Sequence, residues 1–201
     1  MAGTPDTTTR IGGWLFRHRT SLPVPIAIAI LTLRIGEAPP SPFLTGIGIG
    51  VTIVGELLRL WGVHHIGAIS RTRSERLGPL VASGPFALIR NPLYVGNIAL
   101  WVGFALAARL VWLAAIVFVL LAFEYHAIVR WEESLLESRL GIEYRDYADR
   151  VPRWIPRMRR GDRGLRRARE GFSLRATLFS ERGTFVAMAA GYLMLWLKLR
   201  G

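Results

Sequence analysis

The chain contains no cysteine among its 201 residues. Disulfides, thiolate nucleophiles and cysteine-ligated metal sites are therefore excluded. Lysine is almost absent as well, since Lys198 is the only lysine among 26 basic residues. Acidic residues number only 14, which leaves a formal net charge of +12. Any chemistry that the protein performs must come from arginine, histidine, carboxylate, hydroxyl or amide side chains.

The composition is apolar in spite of this charge, with 51% hydrophobic residues and a mean hydropathy of +0.32. This apolar content and the net charge of +12 are compatible only if apolar and basic residues occupy separate segments of the chain. The longest apolar segment exceeds the thickness of a hydrocarbon core, so we expect it to fold back as a hairpin near Ala107–Arg109. An all-α, multi-pass bundle of five membrane helices is therefore predicted. One helix each comes from Leu22–Leu33, Phe43–Val63 and Thr184–Leu199, and the hairpin Leu93–Phe123 supplies two.

The distribution of arginine predicts the orientation of this bundle. With the N-terminus in the cytoplasm, 22 of the 26 basic residues lie on the cytoplasmic side, as the positive-inside rule requires. We expect one membrane domain, residues 1–201, with a core at 51–156, a basic cytoplasmic linker at 157–183 and an apolar helix at 184–199. The two terminal spans are short, and the last one is short enough to be re-entrant or interfacial.

The segment 157–169 is rich in arginine, and Asp162 is its only acidic residue. No aromatic residue interrupts the arginines, so nucleic acid is not expected as a partner. Attraction to anionic lipid headgroups is the favoured interpretation, at about 1 kcal/mol per basic residue near the surface.

Other polar residues within apolar segments have structural interpretations. The pair His64-His65, with His126, suggests a metal, but no H-E-x-x-H pattern is present and no metal is expected. Glu56 is expected either to pair with Arg59 or a residue near Arg109, or to face a substrate tunnel. The glycine run at 46–50 indicates close helix packing.

The segment Gly84-Pro-Phe-Ala-Leu-Ile-Arg-Asn-Pro-Leu-Tyr-Val-Gly96 leads directly into the longest apolar segment. A loop at membrane depth is tolerated only where protein or a water-filled cavity satisfies its backbone. Loops also carry function more often than the scaffold does. This loop therefore predicts a site at the membrane surface, with a cytoplasmic cap.

The helix predicted at Arg130–Arg150, with a break near Gly141, supplies the other half of the expected site. If the hairpin stands upright, its two ends lie on the same side, so Glu132 and Glu133 can meet the loop. Alternatively, these glutamates form ion pairs within their own helix. Together, the cation, amide and carboxylate groups suit a small zwitterionic cofactor with a ribose.

Three blocks occur in order along the chain: Gly84-Pro-Phe-x-x-x-Arg-Asn-Pro-Leu-Tyr-x-Gly96, Glu132-Glu133-x-Leu135 and Gly141-x-Glu143-Tyr-x-x-Tyr147-x-x-Arg150-Val-Pro-Arg-Trp-Ile-Pro156. This set resembles the isoprenylcysteine carboxyl methyltransferase family, which is related to the phospholipid N-methyltransferases. The resemblance covers about residues 51–156. It implies an integral membrane enzyme that takes S-adenosylmethionine (SAM) from the cytosol and a lipophilic acceptor laterally from the bilayer. Asn91 stands where the family usually has histidine, and Phe86 where tyrosine is common.

The resemblance also implies roles for individual residues. Glu132 and Glu133 would bind the amino or ribose portion of the cofactor, Glu133 also being a candidate base, and Arg150 or Arg153 would orient the acceptor. The rest of the cofactor pocket would come from the loop and the start of the following helix: Leu80, Val81, Gly84, Pro85, Arg90, Asn91, Pro92, Tyr94 and Gly96.

The acceptor is left open by the sequence. A carboxylate is already a nucleophile at neutral pH and needs only a cation to hold it, whereas an amine needs a base. The arginines near the expected site are Arg90, Arg150 and Arg153, and the candidate bases are Glu132, Glu133 and, as a further candidate, Glu56. This balance slightly favours carboxyl O-methylation over amine N-methylation or thiol S-methylation. Two alternatives lie outside methyl transfer: an NADPH-dependent reductase of the sterol type, which usually has glutamate where Asn97 stands, and a non-catalytic membrane scaffold.

Overall fold

The computed structural model describes residues 7–66, 80–156 and 173–200, in which the regular structure is entirely helical. The all-α prediction is thus confirmed. The arginine-rich segment 157–169 lies outside the described residues. A single 3₁₀ turn, Gly84–Ala87, accompanies the α-helices of the described ranges, which are α1 (Thr7–His18), α2 (Pro23–Thr32), α3 (Pro42–Ile66), α4 (Pro92–Ala107), α5 (Val111–Leu140), α6 (Ile142–Arg150) and α7 (Leu174–Arg200).

Helices α4 and α5 form the predicted hairpin. Arg109 lies in the turn between them with a φ of +62°, and the N–H of Leu110 donates to the carbonyl of Ala105 at 3.0 Å. Helix α5 continues without a break to Leu140, because neither proline nor glycine interrupts it. The helix predicted from Arg130 is therefore the last part of α5. The predicted break falls at Gly141, whose φ is +54°.

Two helices of the described ranges, α3 and α5, are long and apolar enough to cross a membrane. At 1.5 Å per residue, they are about 38 and 45 Å long. Helices α2 and α4 are apolar but contain only 10 and 16 residues. Helix α2 thus reaches about 15 Å, half the thickness of a hydrocarbon core. The span expected at Leu22–Leu33 is a shorter helix, which ends where Leu33 becomes extended.

Helices α3 and α4 pack closely through glycine. A Cβ atom at Gly103 would lie 2.6 Å from the carbonyl oxygen of Gly48, which no real side chain tolerates. The two backbones therefore touch, as small residues permit in membrane helices. Within the run at 46–50, Gly48 faces α4, whereas Gly46 and Gly50 face open space. The packing interpretation thus holds for the central glycine of the run.

Helix α7 runs the length of the bundle. Near its start, Thr177 Oγ1 lies 3.4 Å from His64 Nδ1 at the end of α3. Near its other end, Lys198 Nζ lies 3.4 Å from a carboxylate oxygen of Glu37, which also pairs with Arg109 at 3.6 Å. We call the end that carries α6 the cap end, and the end that carries Arg109 the turn end.

The start of α7 differs from the expected boundary. The helix begins at Leu174, so residues 174–183 of the expected linker are helical. These first turns contain Glu181 and Arg182, which an apolar pattern does not capture. Glu181 is nevertheless 1% exposed, because it packs against the polar side of α3.

Candidate functional site

The loop before α4 is held by the segment that follows α6. The N–H of Arg90 donates to the carbonyl of Pro152 at 2.9 Å. The Asn91 side chain donates from Nδ2 to the carbonyl of Arg153 at 3.2 Å. Both bonds join the first and third blocks of the sequence pattern. They satisfy loop polar groups with protein, as a loop near the membrane requires.

Glu133 is the centre of an ion cluster at the cap end. Its Oε1 lies 2.9 Å from Nη1 of Arg90. Arg153 binds the same carboxylate through two bonds, Nε–Oε1 at 3.0 Å and Nη2–Oε2 at 2.6 Å. The hydrogen bond to Glu133 raises the pKa of the Arg153 guanidinium, which keeps it charged. Both cations come from outside α5, so Glu133 links three segments.

A second pair lies one residue earlier on α5. Tyr94 Oη donates to Glu132 Oε1 at 3.0 Å, and the ring of Tyr94 lies against that of Tyr125, with centroids 4.8 Å apart. Loop and glutamates therefore meet, as the upright hairpin predicted.

Arg19 contributes a charge that sequence reasoning missed. It follows α1, which packs on the cap end of α5, and its guanidinium lies 4.0 Å from the ring centroid of Phe16. Its positive charge acts favourably on the carboxylate of Glu132. No spacing in the sequence marks this residue, because its approach depends on how α1 packs.

The cap itself is built on two tyrosines of α6. Tyr147 Oη donates to the carbonyl of Phe86 at 2.8 Å, which ties α6 to the 3₁₀ turn. Burial raises the pKa of Tyr144 to about 12, and the nearby negative charge of Glu133 adds to this effect. Burial likewise raises the pKa of Tyr147 well above its ordinary value. Leu80 packs against the cluster that these tyrosines form with Val151.

Several of the predicted site residues lie apart from this cluster. Arg150 is exposed and donates from Nε to the carbonyl of Asp146 on its own helix, at 2.8 Å. The structure thus brings Arg153, and not Arg150, to the glutamates. Val81 is half-buried in the loop beside Leu80, and Pro92 is buried at the first position of α4.

The two glycines expected to admit a cofactor instead admit α3. A Cβ at Gly96 would lie 2.6 Å from Arg59 Cγ. A Cβ at Gly84, whose φ is +58°, would collide with the ring of His65. Each of these glycines therefore lets the chain approach a side chain of α3 closely. Pro85, which follows Gly84, is buried beside it.

An apolar groove of about 780 Å³ opens between α4 and α5. Its cap end is formed by His126 and Trp154, whose ring centroids are 6.4 Å apart. Two lining residues adjoin the site in sequence, since Val95 follows Tyr94 and Trp154 follows Arg153. The other walls are mostly aliphatic and aromatic, among them Ile98, Ala99, Val102, Phe118 and Ala122. The groove therefore lies on the apolar face of the hairpin, and its cap end is lined by residues that neighbour the site in sequence.

The histidines interact with protein groups. His64 lies near Thr177, and His65 Nδ1 lies 2.9 Å from the carbonyl oxygen of Trp61. The described ranges contain no group of three or more His, Cys, Asp or Glu side chains with the spacing for a metal ion.

Comparison with known proteins gives matches of two kinds. The family model described as phospholipid methyltransferase matches residues 44–142, which include the loop and both glutamates. Protein-S-isoprenylcysteine O-methyltransferase B of Arabidopsis thaliana is 28% identical over 119 residues, which cover 57% of this chain and 60% of that protein.

Two further relatives carry names that refer to metal resistance. The nickel-cobalt-cadmium resistance protein NccN of Alcaligenes xylosoxydans xylosoxydans is 32% identical over 155 residues, 74% of this chain and 69% of that protein. The cobalt-zinc-cadmium resistance protein CzcN of Cupriavidus metallidurans is 28% identical over 154 residues, 74% of this chain and 68% of that protein. Both alignments extend beyond the length of the family match.

Proposed function

Because the chain belongs to the phospholipid methyltransferase family, which makes it a membrane methyltransferase, we propose that it transfers a methyl group from SAM to a lipophilic acceptor. The observation that carries this proposal is the meeting of Tyr94 with Glu132, and of Arg90 and Arg153 with Glu133, at the end of an apolar groove.

The donor groups of the cluster fit the polar parts of SAM. The cofactor carries a carboxylate, an ammonium group and ribose hydroxyls. Arg90 Nε is buried and makes no hydrogen bond within the described structure, so it offers a donor for a carboxylate. Glu132 accepts one hydrogen bond from Tyr94 and has capacity for a hydroxyl or an ammonium group. Asn91 and Tyr94 complete this side of the proposed pocket.

When bound, SAM would supply an electrophilic methyl group for an in-line displacement. The residues of this chain would then act by placing and aligning the reactants, which contributes up to about 7–11 kcal/mol in well-oriented reactions. Glu133 would hold Arg153 next to Trp154 at the cap end of the groove, where its guanidinium would meet the headgroup of the acceptor. Trp154 and the walls of the groove would exclude water from that end.

A carboxylate is the acceptor group that this cluster favours. Arg90 and Arg153 share one carboxylate, Glu133, so this part of the site carries an excess positive charge. A carboxylate acceptor requires such a cation and needs no base at neutral pH. The apolar groove would hold the hydrocarbon portion of the same molecule. The acceptor proposed is therefore a lipid acid that enters from the bilayer.

Calorimetric titration with S-adenosylhomocysteine (SAH) tests the cofactor. Detergent-purified protein should bind SAH, the expected product, and should not bind NADPH in a parallel titration. Binding of NADPH alone would identify a reductase, and binding of neither ligand would favour a scaffold. Tyr94→Phe should weaken SAH binding, because it removes the donor to Glu132.

Labelled methyl transfer into membrane lipids tests the acceptor. Methyl esters release their label as methanol in alkali, whereas N-methyl and S-methyl products keep it, so the chemistry can be assigned directly. Lipids from cells grown with and without cobalt or cadmium should be compared, because two relatives are named for resistance to these cations.

A matched pair of variants tests the groove. Ala122→Phe fills the groove, whereas Ala115→Phe places the same ring on an exposed position of α5 that does not line it. Ala122→Phe should abolish transfer to lipid while SAH binding persists, and Ala115→Phe should leave both unchanged. Equal activity in the two variants would exclude the groove as the acceptor site.

A further inference from the structure

Arg59 on α3 is the centre of a buried polar network that joins α3, α4 and α7. Its Nη2 lies 2.6 Å from Glu181 Oε2 and its Nε lies 3.1 Å from Glu56 Oε2. Its Nη1 donates to the side-chain oxygen of Asn97 on α4. Thr184 donates to the same oxygen of Glu181 at 2.9 Å, which fixes this carboxylate on α7. Of the alternatives expected for Glu56, pairing with Arg59 is the one that the structure shows.

The network continues from α4 to the candidate site. Asn97 lies on α4 one turn after Tyr94, and its side chain interacts with that of Tyr125 on α5. The ring of Tyr125 lies against Tyr94, which donates to Glu132. The network therefore leads from Glu181, through Arg59, to Asn97 on α4, which lies one turn from Tyr94 of the Tyr94–Glu132 pair.

The burial of these groups shows that the arrangement is fixed. The Glu181 side chain is 2% exposed and that of Arg59 is 16% exposed. Buried charges are costly unless they are paired and hydrogen-bonded, and removal of one partner is strongly destabilising. Arg59 is held from both sides by carboxylates, so its guanidinium has little freedom to leave Asn97. Asn97 in turn has one oriented oxygen and one oriented NH₂ group.

We propose that α7 belongs to the functional site, with Glu181, Arg59 and Asn97 as positioning residues that orient the ring of Tyr94 toward Glu132. The proposal rests on the proposed cofactor pocket. It extends that pocket to a helix that lies beyond residues 44–142, the range of the family match. Ion pairs that only joined helices would have no effect on the Tyr94–Glu132 pair.

A double-mutant cycle on the full-length protein tests this proposal. Glu181→Gln keeps the size of the side chain but weakens its hold on Arg59. We expect it to weaken SAH binding about fivefold, a coupling typical between separate sites. In a Tyr94→Phe background, the same change should have almost no effect on SAH binding, because the hydroxyl that the network orients is already gone.

Lys198→Met is the matched control. Lys198 anchors α7 at the turn end, where it binds the carbonyls of Ile30 and Leu33 and lies near Glu37, far along the helix from the network. This variant should lower the thermal unfolding temperature but leave SAH affinity unchanged. Equal loss of affinity in Glu181→Gln and Lys198→Met would overturn the proposal, since α7 would then act only through stability.

The unfolding temperature provides a readout that does not need the cofactor. If the protein binds no SAH, the proposed function fails. The double-mutant cycle can still be measured as unfolding temperatures of the parent, the two single variants and the double variant. Non-additive changes for Glu181→Gln and Tyr94→Phe would support the network, and additive changes would refute it.

Discussion

At the scale of single residues, Glu133 holds the candidate site together. The sequence predicted that it would meet the loop, because an upright hairpin brings both ends to one side. It did not distinguish Arg150 from Arg153 as the partner. That choice depends on where α6 ends and how the chain continues past Pro152, which are results of packing rather than of spacing.

Glu133→Gln should lower the free energy of unfolding by about 2 kcal/mol, since two guanidinium groups would lose their charged partner. Glu137→Gln is the control one turn later on α5. Glu137 pairs with Arg145 at 3.7 Å on the surface, where its side chain is 54% exposed. That change should stay within about 0.5 kcal/mol. Urea titration in detergent measures both, and similar losses would contradict the central role of Glu133.

At the scale of elements, the packing of α3 on α4 depends on a few glycines. The sequence indicated close packing for the whole run at 46–50, but it could not show which glycine faces the neighbour. The direction is set by the rotation of α3 about its axis, and that rotation also brings Arg59 toward Asn97.

Gly48→Ala should destabilise the bundle by about 1–3 kcal/mol, because the new methyl group would overlap the backbone of α4 at Ala107. Gly50→Ala lies on the same helix and faces open space. It should be neutral or stabilising by up to about 1 kcal/mol, as alanine is the better helix former. The unfolding free energies of the two variants should be measured in the same detergent, and equal values would argue against the α3–α4 contact.

The packing of α6 should weaken in alkali. The folded pKa of Tyr144 is raised to about 12 from the ordinary value of 10.0. Its contribution to stability is therefore complete below about pH 10 and is lost as the pH rises through about 12. Ultraviolet titration of tyrosinate, together with circular dichroism, should show this transition. Tyr144→Phe should reduce the dependence of stability on pH in this window, and an unchanged profile would exclude Tyr144 as its source.

At the scale of the whole molecule, the hairpin and the cap were predicted from the sequence, whereas the start of α7 was not. Apolar periodicity identifies lipid-facing or buried turns, and it fails where a helix buries carboxylates, as α7 does with Glu181. A substrate tunnel was expected as one alternative, but the place and shape of the groove were not predicted, because they follow from the angle between α4 and α5.

The absence of cysteine allows the predicted topology to be tested with single introduced thiols. Ile35 at the turn end and Ile155 at the cap end are 80% and 79% exposed. In intact cells, an impermeant maleimide should label Ile35→Cys but not Ile155→Cys, which should react only after permeabilisation. The cysteine-free parent is the blank. Labelling of Ile155→Cys in intact cells would reverse the orientation, and labelling of both would refute a crossing between them.

The unbroken course of α5 has a consequence for which acceptors fit. Ala122 in the groove and Glu132 at the site are both on this one helix, about 15 Å apart along its axis. A continuous helix does not shorten or stretch appreciably, so the distance between these two residues along the helix is constant. An acceptor whose reactive group lies too near its hydrocarbon chain, or too far from it, would be held out of register with the methyl donor.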